Sequence, residues 1–129
     1  MGAWDSTAFG NDDAADWAFE LRTASNPAKF VAVALSLADE DGYLHAHEAC
    51  QIVAAAAIVG AARGEFELPE DLAAWLRGKE SKLKDLADEA LGGIQRVRGE
   101  ESELKDQWRE SGGLAGWSAD LDAITVALR

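Results

Sequence analysis

Cysteine, proline and positive charge are all scarce in this chain. Cys50 is the one cysteine in 129 residues, so no disulfide can close within the chain, and this usage fits a reducing cytosol. It lies in an apolar run with no cation nearby, the setting of an inert small hydrophobe rather than a reactive thiolate. The two prolines, Pro27 and Pro69, both stand where helices begin. Lys and Arg number 12 against 24 Asp and Glu, a net charge of −12. Such a deficit argues against nucleic acid as a partner, because phosphate binding needs a basic face, and equally against an anionic membrane surface. The longest apolar stretch, Ala49 to Ala62 with Gln51 inside it, is too short to cross a bilayer. The opening residues show neither a basic nor an apolar leader region, so a cytoplasmic location is expected.

Catalytic equipment is equally thin. There is no Gly-x-Ser-x-Gly and no glycine-rich phosphate loop. His45 and His47 are the two histidines. On one helix they would point about 200° apart, whereas a zinc pair needs i, i+4 spacing. Glu100, Glu101 and Glu103 with Asp85, Asp88 and Glu89 come nearest to the acidic clusters of small helical pyrophosphohydrolases, but their order and spacing do not match. A solvated helix face accounts for them better. No cofactor is called for.

What is present is helical periodicity. Apolar residues make up 48% of the chain, far too many for a disordered segment, and the length is that of one domain. Asn11 caps a first helix over Asp12–Thr23, with Asp12, Asp13 and Asp16 at its positive end and Ala14, Trp17, Ala18 and Leu21 on one face. Asn26-Pro27 opens a second helix. There Phe30, Val33, Ala34 and Leu37 line one face and Val31, Leu35 and Ala38 another, a breadth of apolar surface that argues for a central position. A third helix runs from His45 to Arg63 and stops at Gly64. A fourth starts at Pro69 and ends at Gly78, and a fifth is capped by Ser81 and continues through Val97. Gly92-Gly93 within the fifth marks a close crossing or a kink. A short helix holds Leu104 and Trp108, and a last one from Leu114 carries Trp117, Leu121, Ile124 and Leu128 on one stripe. No window alternates with period two. The expected fold is all-α: a compact single-domain bundle of six or seven helices around an αα-hairpin made by the second and third. Trp17, Trp75, Trp108 and Trp117 are expected in the core, with Trp4 plugging the bundle's end.

The acidic excess is uneven. Residues 1–76 hold 3 basic and 13 acidic side chains, and residues 77–129 hold 9 and 11. The N-terminal half therefore carries nearly the whole negative field, which would speed encounter with a basic protein partner. Asp12, Asp13, Asp16, Glu20, Asp39, Glu40 and Asp41 are the residues expected to meet it, each offering a carboxylate to Lys or Arg. The function this suggests is a protein-binding module of immunity or antitoxin type that masks a basic surface.

The alternative is a metal-dependent helical enzyme or calcium or metal sensor built on the acidic loop 39–48. Asp39-Glu40-Asp41-Gly42-Tyr43-Leu44 and Glu48 match the back half of an EF-hand loop, with Asp39, Asp41 and Glu48 as metal ligands and His45 as a further donor. The first ligand position falls on Leu37, which cannot ligate. Asp12-Asp13-Ala14-Ala15-Asp16 is similar to the aspartate-rich motif of prenyl-transferring enzymes, but those need a large cavity and a second acidic motif.

Met1-Gly2-Ala3-Trp4, Phe9 and Asn11-Asp12-Asp13-Ala14-Ala15-Asp16-Trp17 carry a resemblance that continues along the chain. It runs through Tyr43-Leu44, Glu48-Ala49, Leu68-Pro69-Glu70-Asp71-Leu72-Ala73-Ala74-Trp75, Ser102-Glu103-Leu104 and Trp108. The chain resembles a bacterial family known only as domain of unknown function 4259. The resemblance implies a small helical protein standing alone, and no activity. Relatives usually have Gly in place of Asp5 and often Glu in place of Ala57.

Overall fold

The computed structural model describes residues 5–129. The expectation that Trp4 plugs the bundle falls outside them. The described residues hold eight α-helices and no strand: α1 Asp12–Thr23, α2 Pro27–Ser36, α3 Ala46–Ala62, α4 Glu70–Leu76, the single turn α5 Glu80–Leu83, α6 Ala87–Arg98, α7 Glu103–Ser111 and α8 Leu114–Leu128. No described helix is long and apolar enough to cross a membrane.

The starts of α1 and α2 follow from local chemistry. Asn11 Oδ1 accepts from the Ala14 amide at 2.8 Å, and Asn26 Oδ1 accepts from the Lys29 amide at 3.2 Å. Each satisfies a donor that the first helical turn leaves free. The third helix stops where expected, because Gly64 takes φ +83°, a left-handed turn that costs glycine nothing.

α3 is the axis. Ile52 and Ala54 through Val59 are wholly buried along it, with α1, α2, α6, α7 and α8 packed around it. α2 does pair with α3, but α6 packs against α3 more extensively. The reason is at Gly93, on the inner face of α6. A Cβ there would stand 2.8 Å from Ile52 Cγ2 and 3.6 Å from Leu35 Cδ2, so the absent side chain is what lets the two helices close. Of the two readings of Gly92-Gly93, the close crossing is the one seen at Gly93.

The break comes earlier. Ser81 does not cap a continuous helix. It sits inside α5, and residues Lys84–Leu86 form a 3-10 turn before α6. Leu83 and Ala90 are buried either side of it, with Leu86 half-buried between. An i, i+3 step serves both kinds of helix, so apolar spacing cannot register the change in winding.

Trp17 and Trp117 are buried. Trp75 and Trp108 pack against the core's edge rather than inside it. Lys79 Nζ lies 5.1 Å from the Trp75 ring. The N-terminal turn is tied down by the Ser6 hydroxyl, which donates to Asp120 of α8. The Thr7 hydroxyl and amide both donate to Asp5 and hold that carboxyl below its usual pKa. Ala57, where relatives are expected to carry Glu, is wholly buried in α3.

Candidate functional site

Two rows of side chains face each other across the α1–α2 hairpin. Asp13, Asp16 and Glu20 run along α1, and Phe30, Val33 and Leu37 run along and just past α2. Both rows have i, i+3, i+7 spacing, which keeps each in line along a helix. Trp17 and Ala34 form the floor between them, and the Trp17 and Phe30 rings meet at 5.6 Å between centroids. The rows bound two joined depressions of about 360 and 460 Å³, which share Glu20, Phe30 and Val33. The far depression is lined by the turn Ala24–Asn26 and by Lys29. Val33 is 58% exposed, although it belongs to the helix whose broad apolar surface argued for a central place. Val31 and Leu35 are indeed buried. On the other apolar face of α2, Ala34 is buried and Phe30 and Leu37 are half-buried against the core, so Val33 is the member left exposed along the groove wall.

Phe19 is also exposed, at 64%. It lies outside the groove, with the Arg22 guanidinium 5.9 Å from its ring centre. Arg22 pairs with Asp71 at 2.8 Å and thereby ties α1 to α4.

The acidic residues expected to meet a partner therefore divide. Asp13, Asp16 and Glu20 share the groove. Asp12 is exposed but does not line it. Asp39 faces a separate cleft between α2 and α6, with Asp88 and Glu89. Glu40 and Asp41 border a third depression, beside Gln95 and Arg96. Sequence reasoning named Asp13, Asp16 and Glu20 for their charge and missed Phe30, Val33 and Leu37 as site residues. The signal was there: a helix apolar on two faces, with charge on the helix before it.

Among the described residues no group of three or more His, Cys, Asp or Glu is placed to hold a metal ion, so Asp39, Asp41 and Glu48 do not converge, with or without His45. Asp39 ends a 3-10 turn, Leu37–Asp39, and Glu48 lies in the first turn of α3. Gly42 does supply the expected turn, at φ +89°. The cation that the loop's carbonyls meet is the chain's own Arg96. Its Nη2 donates to the carbonyls of Gly42 at 2.5 Å and Glu40 at 3.3 Å, and its Nη1 to that of Glu101 at 3.0 Å. The planar guanidinium suits this spread of acceptors.

Arg96 thus joins two loops that also pair through their backbones. The Leu44 amide donates to the Glu101 carbonyl at 2.8 Å, and the Glu103 amide donates to the Leu44 carbonyl at 2.9 Å. Glu103 Oε1 then accepts from the Ala46 amide at 2.7 Å, a carboxylate at the positive end of α3. Tyr43-Leu44 and Ser102-Glu103-Leu104, two of the segments that carry the resemblance, thus meet at one clasp.

At the rim of that clasp the Tyr43 hydroxyl donates to Asp106 Oδ2 at 2.6 Å. This bond, with desolvation and then the charges of Asp106, Glu103 and Glu110 adding to it, pushes the phenol up to about 12. The sign follows from the raised value: the bond's contribution to stability is complete below pH ~10, the ordinary phenol value, and fades as pH rises toward about 12. Tyr43 is the one tyrosine, so an alkaline titration of tyrosinate absorbance reads it alone. The expected midpoint is about 12, returning toward ~10 in Asp106→Ala. A midpoint near 10 in the unaltered, still helical protein would show that the bond does not form.

His45 and His47 are not on opposite faces of one helix. His45 precedes α3 in extended conformation, and the two rings stack 6.2 Å apart. Cys50 is buried, and desolvation, with a smaller effect from the charge of Asp13, pushes its thiol up to about 12. It borders a cavity of about 60 Å³, room for roughly two waters. An inert thiol is the reading both sequence and burial support.

No curated protein and no solved structure matches this chain. A family match extends over residues 2–120, nearly the full length, so the protein belongs to the family described as domain of unknown function (DUF4259).

Proposed function

We propose that this protein is a binding module of immunity or antitoxin type that covers a basic surface of another protein. The observation that carries the reading is the α1–α2 groove, in which an acidic row stands across from an apolar row. Apolar surface supplies association energy, and the adjacent carboxylates select and steer a cationic partner. The net charge of −12 adds long-range attraction to the same class of partner.

The test is purification of the tagged protein from its own host, with co-purifying proteins identified by mass spectrometry. A stoichiometric basic protein is expected. Asp13→Lys, Asp16→Lys and Glu20→Lys together should abolish its recovery. Reversal of Asp39, Glu40 and Asp41, which line other depressions, should leave most of it. All six positions are exposed, so both variants should keep the helical circular dichroism of the parent. A protein recovered alone, or a groove variant that holds its partner undiminished, would overturn the reading.

A further inference from the structure

We propose, resting on the reading above, that the groove's occupant is an amphipathic basic helix, docked along the α1–α2 hairpin with an apolar stripe on Phe30, Val33 and Leu37 and a cationic stripe on Asp13, Asp16 and Glu20. The two rows have the same i, i+3, i+7 spacing, and that spacing is the one in which a helix presents side chains along one line. A helix with Leu-like residues on one line and Lys or Arg on the next would meet both rows in register. Both walls are helices, and no strand edge exists among the described residues. Recognition by backbone pairing is thus closed to an extended peptide, and ridge-into-groove packing is open to a third helix.

Length is bounded as well. α1 has 12 residues, about 18 Å of helix, and the groove ends at the 24–26 turn. An occupant of about three turns fills it. Lys29 lines the same depression as Glu20 and offsets its charge, so the strongest cation contacts belong near Asp13 and Asp16. A two-fold pairing of copies through this groove is disfavoured, because it would set acidic rows against each other on molecules of net charge −12.

The experiment uses three synthetic peptides of about 12 residues. One has Leu at i, i+3 and i+7 with Lys on the neighbouring line. The second has the same composition with a central Pro. The third keeps the Leu pattern and replaces Lys by Gln. Amide chemical shifts of the full-length protein locate binding, and titration gives Kd. The first peptide is expected to bind, with shifts centred on the two rows. Val33→Asp should weaken it at least about tenfold, and so should the triple Lys variant. Val33 is exposed, so its variant folds and the measurement stays informative. Equal binding of the Pro peptide would overturn the helical assignment and leave the basic-partner reading intact. Equal binding of the Gln peptide would overturn the charge matching proposed for this occupant. Failure of all three at millimolar concentration would overturn the proposed occupant, while co-purification from the host judges the wider reading independently. A dimer in sedimentation that Val33→Asp dissolves would overturn the proposal in favour of self-association.

Discussion

Arg96→Ala is expected to lower unfolding free energy by about 2–3 kcal/mol and the thermal midpoint by roughly 10 °C. The guanidinium makes three bonds to backbone carbonyls, those of Glu40, Gly42 and Glu101. Each is charge-assisted, and such bonds contribute about 1.5–3 kcal/mol when well shielded. These are partly exposed, and water replaces them in part, so the sum is discounted. Loss should be local before it is global. The Leu44 amide donates to Glu101 and the Glu103 amide to Leu44 across the same two loops, so their hydrogen exchange should accelerate most, ahead of amides in α3. Arg96→Lys should recover less than half of the stability, because one ammonium cannot span acceptors on two loops. The urea midpoint of each variant, with exchange rates by residue, decides it. A variant as stable as the parent, with Leu44 and Glu103 amides equally protected, would mean that backbone pairing alone holds the clasp.

Neighbouring glycines in α6 should respond to alanine with opposite signs. Gly92 is exposed, and a Cβ there meets nothing within 4 Å. Gly92→Ala should therefore stabilise by about 0.5–1 kcal/mol, through helix propensity alone. Gly93 is buried, and a Cβ there would stand 2.8 Å from Ile52 Cγ2 and 3.6 Å from Leu35 Cδ2. Ile52 is wholly buried, and its β-branched side chain has one strongly preferred rotamer in a helix. It cannot swing aside, so Gly93→Ala should force α3 and α6 apart at a cost of about 1–3 kcal/mol. The pair also has an internal check. Ile52→Ala alone should cost about 2–5 kcal/mol by leaving a cavity, yet combined with Gly93→Ala the loss should fall short of the sum, because the new methyl enters the vacated space. Strict additivity, or the same sign at both glycines, would show that α6 crosses α3 elsewhere.

Much of the architecture was legible residue by residue. The bounds of α1, the caps at Asn11 and Asn26, the stop at Gly64 and the buried stripe of α8 all depend on interactions within a turn or two of the chain. Side-chain type and spacing report such short-range chemistry directly. The all-α class and the family membership were likewise readable from the sequence. Composition also set the acidic field and its concentration in the N-terminal half.

Tertiary structure alone decided where that charge acts. Asp13, Asp16 and Glu20 share a groove while Asp39, Glu40 and Asp41 do not, because the packing of α1 on α2 and of α6 on α3 assigns them to different faces. Spacing could not separate the α5 turn from α6, since 3-10 and α winding share the i, i+3 step. Nor could it reveal that α2 leaves Val33 exposed between half-buried Phe30 and Leu37, since periodicity marks a face as apolar without naming its neighbour. The acidic loop shows the same division most sharply. Its residue types suited a metal ligand set, but an arginine more than fifty positions away turns a guanidinium into its carbonyls. Only a long-range contact of that kind could determine which cation the loop meets.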